Sequence, residues 1–299
     1  MTRTSTIDLL GPGTLPGAAG AGSSGRRTVL SRLLFLLPLL PASVYVLLAV
    51  IGPLVVPYSA TTVVGPSTRP PSAEHWFGTD SAGMDVFSRS IAAAQVDLAI
   101  ATAVTLLTTT FGILIGLFAG MGESSRGLYG FVARGTARVL DLADAVPLIV
   151  VAMVAVAFFA ANSLTLVIVL TIILSPSPAR LTRSEVLRIR TEAYLDAARI
   201  GGMSEARLSV RHVLPNASLP AVENMSVIFG LAIAIAAALG FLGVGIAPPT
   251  PEWGSMVARG TSDLISGRWW SAVFPAVLLG GAIASFAFAG GFLVKRMGR

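Results

Sequence analysis

The chain has 299 residues, 54% of them hydrophobic and only 12% charged, with a formal net charge of +6. Soluble domains hold about 25% charged residues, so the composition excludes an ordinary soluble globule and points to a protein with several membrane spans. The lack of cysteine excludes disulfide frameworks, zinc–thiolate sites and cysteine nucleophiles. The positive charge is no nucleic-acid signature either, because the arginines gather at the ends of apolar runs, as membrane topology demands.

Residues 1–25 are rich in Gly, Ser, Thr, Ala and Pro and are expected to form a disordered tail. Arg26, Arg27 and Arg32 lead into an apolar run from Leu33 to about Val56. A signal peptide is one reading of this pattern. The run is too long for a signal core and lacks a small-x-small cleavage site, so an uncleaved first span is preferred. Residues 26–70 then hold this span and the start of an outer segment, and residues 71–299 form the main membrane domain. In the outer segment, Glu74, His75, Asp80 and Asp85 raise the idea of a metal site. There is no close pair of histidines, and Gly78 and Gly83 are placed like turn residues. A structured loop with Trp76 and Phe77 packed at the membrane interface is the better reading.

Further spans are predicted at about 96–121, 135–160, 163–180, 220–246 and 271–294. Each is near the roughly twenty residues needed to cross the hydrocarbon core, and only a helix satisfies its backbone groups within one such segment. A very short turn near Ala161 and Asn162 joins the third and fourth spans. Asp97 begins the second span near the outer mouth, where it is weighed as a contact for a cationic substrate group against a plain interfacial acid. Asp141 and Asp144 begin the third span, and Pro147 is expected to kink it. Glu223 and Asn224 open the fifth span, either lining a pathway or pairing with inner arginines. Six spans put both termini on one side. The inner side then holds Arg126, Arg134, Arg138, Arg183, Arg188, Arg190, Arg199, Arg207, Arg211, Lys295 and both arginine-bearing ends, so both termini are assigned to the cytoplasm.

The loop at 181–219 is the most informative segment. Val186, Ile189, Ala193, Ala197 and Ile200 recur at three- and four-residue steps, the pattern of an apolar helical stripe. Arg188, Glu192, Asp196 and Arg199 fall elsewhere on the surface, with Glu185 at helix-neighbour spacing from Arg188. Gly201 and Gly202 end or bend the helix. Ser204 is placed to cap a second short helix reaching Val213, and Pro215 and Pro220 close the segment. Ala197 and Ala198 are small enough to let a partner surface approach closely, a helix-in-groove mode. An amphipathic helix resting on anionic headgroups fits the same spacing.

No catalytic arrangement is evident, since His75 and His212 fall on opposite sides of the membrane. The only lysine, Lys295, stands in Val294-Lys295-Arg296-Met297, which is not a phosphate-binding loop. The chain is therefore no ATPase by that route.

Three stretches, in order, carry a resemblance that covers nearly everything from about residue 70 onward. The first runs from His75-Trp76-Phe77-Gly78-Thr79-Asp80 to Asp85-Val86-Phe87-Ser88-Arg89. The second is Glu192-Ala193-Tyr194-Leu195-Asp196-Ala197-Ala198-Arg199-Ile200-Gly201-Gly202 with His212-Val213-Leu214-Pro215-Asn216. The third is Leu239-Gly240-Phe241-Leu242-Gly243-Val244-Gly245 through Pro248-Pro249-Thr250-Pro251-Glu252-Trp253-Gly254. Together they resemble the second permease of dipeptide, oligopeptide and nickel ABC importers. The family usually has Arg at the positions of Met84 and Gln95, Glu at Asp196, and in many members Glu at Ala236. That last departure weakens the transfer of any relative's substrate.

The resemblance implies an all-α membrane protein of the type I ABC importer permease fold in the bacterial inner membrane, with a cytoplasmic coupling helix between spans four and five. It implies no enzyme activity and no cofactor on this chain, with ATP and Mg on a partner ATPase. The implied partners are a second related permease in a heterodimer, one or two ATPase subunits, an extracytoplasmic solute-binding protein and the lipid bilayer, with no nucleic acid. It assigns ATPase coupling to Glu192, Asp196, Ala197, Ala198, Gly202, Leu214 and Pro215. Trp76, Asp80, Asp85, Pro249 and Trp253 become candidate contacts for the binding protein. Import of di- or oligopeptides by alternating access is the leading expectation. Nickel, glutathione and other small solutes remain open, and an ion-coupled transporter or channel, or a scaffold without transport, are the readings from other classes.

Overall fold

A computed structural model describes residues 37–159 and 161–297. The expected tail at 1–25, Arg26, Arg27, Arg32, the start of the first run and Arg299 lie outside the described residues.

Among the described residues the protein is helical, with one isolated bridge between Thr79 and Asp85. Helix α1 is Leu40–Val55 and α2 is Val86–Gly122, 37 residues long. At 1.5 Å per residue α2 measures about 55 Å, well beyond a hydrocarbon core of about 30 Å. It begins earlier than the apolar run because Asp85 caps it: the carboxylate accepts the Ser88 N–H at 2.8 Å. The polar first turns therefore belong to the same helix as the span.

Helix α3 is Gly127–Leu142 and α4 is Leu148–Phe159. The segment predicted as one span at 135–160 is thus interrupted. A single 3₁₀ turn at Ala143–Ala145 leads to Val146, whose backbone is extended (φ −100°, ψ 128°). Pro147 forces this, since the residue before a proline avoids the helical region. Pro147 sets the break between two helices rather than kinking one. Asn162 then caps α5, Ser163–Leu174, by accepting the Thr165 N–H at 2.9 Å. Helix α6, Pro176–Ile189, follows through Ser175, which keeps helical dihedrals. Its prolines lie in the first turn, where no donor is lost.

Four short helical pieces follow: α7 Ala193–Ile200, α8 Glu205–Leu208, α9 Leu214–Ala217 and α10 Leu219–Glu223, with a π-type stretch at Ser209–Val213. Helix α11 is Met225–Phe241, α12 is Trp253–Ile265 and α13 is Trp270–Met297. By length and composition four helical segments can cross a membrane: 37–55, 86–122, 163–189 and 270–296. Counting the bent pair 205–223 and 225–241 as one span makes a fifth. Helix α4 is apolar but short.

The central core joins α2, α4, α5 and α11 through Val104, Val156, Leu170, Ile228 and Leu239. A second contact is closer. Gly112, Gly116 and Gly120 form a ridge on α2 that lies directly on α6. A Cβ at Gly120 would come within 2.7 Å of Val186 Cγ1, and one at Gly116 would overlap the Ala179 carbonyl. Small residues four apart let two helices pack backbone to backbone in lipid. This contact carries the direction of α2 into α6 and so into the segment that follows.

Candidate functional site

The segment after α6 turns sharply and is held at its base. The hydroxyl of Thr191 donates to the Arg188 carbonyl at 2.8 Å and closes the last turn of α6, while Glu192 is extended (φ −77°, ψ 132°) and starts α7. The predicted single stripe is therefore split. Val186 and Ile189 are buried on α6, whereas Ala193, Ala197 and Ile200 are exposed on α7, Ile200 at 88%. The inward residue of α7 is Leu195. With Leu208, Val213 and Ala217 it packs on Met121, Val186 and Ile189, at the C-terminal ends of α2 and α6. A helix of eight residues is too short to persist alone, so this small core is what holds it.

The result is an elbow with a fixed inner side and a bare outer side. Glu192, Asp196, Ala197 and Gly202 are exposed, Ala198 is half-buried, and Leu214 and Pro215 follow on α9, Pro215 exposed. Residues 193, 197 and 200 share one face of α7, opposite Leu195. Among the described residues none of the three belongs to a buried core cluster.

The turn itself is a Schellman motif. Gly202 has φ +80°, its N–H donates to the Arg199 carbonyl at 3.0 Å, and the Met203 N–H donates to the Ala198 carbonyl at 3.1 Å. No atom lies within 4 Å of a Cβ built on Gly202, so backbone conformation, not space, calls for glycine. Arg199 bridges the turn, donating to Asp196 at 2.7 Å and to Glu205 at 2.9 Å. The Glu205 bond, with Asp196 beside it, pushes the Arg199 guanidinium above its ordinary value. Ser204 stands at the N-cap position of α8 but makes no side-chain capping bond. Glu185 pairs with Arg188 at the predicted spacing.

The outer segment is folded. His75 and Asp85 are a buried pair, Nδ1 to Oδ1 at 2.9 Å, and Asp85 also caps α2. Asp80 accepts the Ala82 and Met84 N–H groups through Oδ1, closing a turn at Gly83 (φ +77°). Among the described residues no group of three or more His, Asp or Glu side chains is placed to hold a metal ion. Phe77 stacks on Phe274 at 3.9 Å, and Trp76 is 59% exposed against Phe87.

Asp97 does not face an outer mouth. It is buried, and its Oδ2 accepts the Trp253 N–H at 3.1 Å. Trp253 is itself fully buried, with its indole N–H on the Ser90 carbonyl at 2.9 Å. Asp85 and Trp253 thus point into the chain, and neither presents a surface to a partner. Of the five outer candidates, Trp76 and Pro249 are exposed and Asp80 is half-buried. Glu252, buried at the N-terminus of α12, accepts the Gly254 and Ser255 N–H groups at 2.6 and 2.7 Å. Burial pushes its carboxyl above the ordinary value, opposed by those two N–H bonds and by Arg259. Glu223 and Asn224 lie at the break between α10 and α11, half-buried, with Asn224 donating to Ser177 at 3.4 Å. Ala236 is buried in the central apolar core.

Two features escaped the sequence reading. The Gly112, Gly116, Gly120 ridge had a visible signal in its four-residue spacing. The anchoring role of Leu195 and Leu208 had none, because both sit in segments whose apolar period is shared by outward residues.

The sequence profile described as "binding-protein-dependent transport system inner membrane component" matches residues 112–299. The chain is 36% identical over 234 residues to the dipeptide transport system permease protein DppC of Alkalihalophilus pseudofirmus, covering 77% of this chain and 74% of that protein. It is 34% identical over 212 residues to the probable D,D-dipeptide transport system permease protein DdpC of Escherichia coli, covering 70% and 69%. It is 33% identical over 222 residues to the glutathione transport system permease protein GsiD of Escherichia coli, covering 74% and 70%. Among solved structures, a chain of the MetNI methionine ABC transporter in inward-facing conformations superposes with a TM-score of 0.57 at 18% identity, covering 71% of this chain and 97% of that one.

Proposed function

The chain belongs to the family of binding-protein-dependent transport system inner membrane components, and from that membership we propose that it is the membrane-spanning subunit of an ATP-driven importer of di- or oligopeptides. The names of the relatives support the cargo: dipeptides, D,D-dipeptides and glutathione, itself a short peptide, are what those permeases are named for. ATP and Mg belong to a separate ATPase. A second related permease completes the pathway, and an extracytoplasmic binding protein delivers the cargo, with Trp76, Asp80 and Pro249 as its contacts here.

Six spans are proposed, with the third beginning near Asp141 and running through α4. Both termini then face the cytoplasm, which agrees with the arginine distribution. The main membrane domain extends from about residue 71 to the end.

The observation that carries the mechanism is the elbow: a small, exposed face on α7, fixed from behind by Leu195 and Leu208 to the inner ends of α2 and α6. A partner that seats Ala193, Ala197 and Ile200 in a groove moves the elbow, and the elbow moves the spans. Glu192, Asp196 and Ala198 surround this contact, Gly202 fixes its turn, and Leu214 and Pro215 flank it on α9. ATP binding draws the ATPases together and opens the pathway outward; hydrolysis returns it inward.

The test is Ala197→Trp. Ala197 is exposed, so the variant folds and inserts normally. The bulk blocks the groove contact, and the ATPase is lost on copurification while the second permease is retained. Normal ATPase yield with normal uptake would overturn the proposal.

A further inference from the structure

We infer that Arg183 is a positioning residue, an inner clamp that makes α2, α3 and α6 turn with the elbow as one body. This rests on the reading of the elbow as the ATPase's handle.

Arg183 lies on α6, before the helix gives way to the elbow. Its Nε and Nη2 donate to the two oxygens of Glu123 at 3.2 and 3.1 Å, and its Nη1 reaches Asp141 at 3.5 Å. Glu123 is the C-cap of α2, and Asp141 is in the last turn of α3. One guanidinium therefore ties together three helices that come from distant parts of the sequence.

The placement of the two acids is informative. A helix C-terminus carries partial negative charge, and a carboxylate there is locally unfavourable. Both acids occupy such positions, and both converge on the same cation. Local helix energetics do not account for either residue, whereas the cross-helix fork does. Exposed ion pairs contribute little, and the Asp141 arm, 56% exposed, belongs to that class. The Glu123 arm does not: its partners are 33% and 20% exposed, and it is bidentate, the geometry that adds direction to an ion pair.

The contacts around it act in the same sense. Arg190 donates to the Gly120 carbonyl at 2.8 Å and to Ser124, and Arg134 reaches the Glu123 and Ser125 carbonyls at 3.2 and 3.1 Å. Beneath them runs the glycine ridge, where a Cβ on Gly120 would come within 3.3 Å of the Arg183 carbonyl. The ridge resists separation of α2 from α6. The fork resists sliding and twisting, which a smooth glycine ridge does not.

The experiment uses the assembled complex in vesicles. In Arg183→Ala, uptake is expected to fall about tenfold, within the range of about 5–150-fold usual for a coupling between sites. ATP hydrolysis and ATPase copurification persist. Arg183→Lys keeps the charge but not the fork, so it restores uptake only in part. The chain has no native cysteine, so Glu123→Cys with Arg183→Cys gives a clean pair. Bridging that pair with a short reversible thiol cross-linker is expected to recover uptake, and cleaving the bridge to lose it again.

Unchanged uptake in Arg183→Ala overturns the clamp. So does a cross-link that abolishes uptake until reduced, because the contact must then open during the cycle. Either result leaves ATPase docking at the elbow standing. That reading fails separately, if Ala197→Trp retains both ATPase and uptake.

Discussion

Gly202 is the position where elbow geometry can be perturbed without touching anything else. Its φ of +80° is one that a side chain disfavours, and a Cβ there would find no atom within 4 Å. A substitution therefore strains the backbone and creates no clash. The left-handed conformation costs a residue with a Cβ about 1–2 kcal/mol, with asparagine tolerated best and a β-branched residue least. If the turn flips to relieve this, the Gly202 and Met203 N–H bonds to Arg199 and Ala198 are lost, and the turn between α7 and α8 is no longer fixed. A bias of about 1.4 kcal/mol changes the equilibrium constant between the native and the flipped turn about tenfold. Substrate-stimulated ATPase activity and uptake of the assembled complex should then follow a graded series. Gly202→Asn should stay within about twofold of the native complex, Gly202→Ala should lose about fivefold, and Gly202→Val about tenfold or more, as the left-handed cost rises. Hydrogen exchange at the Met203 amide should speed up in the same order. Equal activity in the asparagine and valine variants would refute the argument, since both add bulk but only one adds severe strain.

Three further outcomes are expected. Gly116→Val puts a branched side chain against the Ala179 carbonyl; overpacking of this kind costs about 1–3 kcal/mol and should lower the unfolding temperature in detergent, whereas the same change at Gly135, which meets nothing within 4 Å, should not. Asp85→Ala removes the α2 cap and leaves His75 without its carboxylate, costing about 0.5–2 kcal/mol for the cap alone; Asp85→Asn keeps an acceptor and should retain most of that stability by the same thermal assay. Glu252 has its carboxyl raised above an ordinary 4.5 by burial, so the folded state holds its proton more tightly than the unfolded chain does. Its contribution is full below 4.5 and is lost as the pH rises through the raised value. Stability should therefore decline with rising pH above 4.5, and Glu252→Gln should flatten that slope; an unchanged slope would mean that another group titrates there.

How much of this was legible in the sequence depends on the distance over which each feature is decided. Four of the predicted spans, and a fifth as a bent pair, were legible because length and hydropathy are local and the bilayer accepts little else. The turn at Gly202 and the pairing of Glu185 with Arg188 were legible for the same reason, each being settled within a few residues. The interruption at Val146 and Pro147 was half-legible: the proline signals a disturbance, but whether a helix bends or stops depends on what the neighbours can satisfy. The stripe through Val186, Ile189, Ala193, Ala197 and Ile200 was legible as a period and misleading as a surface. Its residues keep helical spacing across Arg190–Glu192, where the helix ends, so one periodic signal covers an inward face on α6 and an outward face on α7. What separates them is Leu195, drawn onto Met121 from a distant part of the chain. Asp97 shows the limit most plainly. An acid at the edge of an apolar run looks like a group reaching for water or substrate, yet it turns inward because a backbone donor, the N–H of Trp253, arrives 156 residues later. A buried carboxylate is tolerable only where such a donor exists, and no local pattern records it. Functional residues in a transporter of this kind are decided by meetings between helices. The elbow is the exception, because its turn at Gly202 and its exposed face on α7 are set within the segment itself.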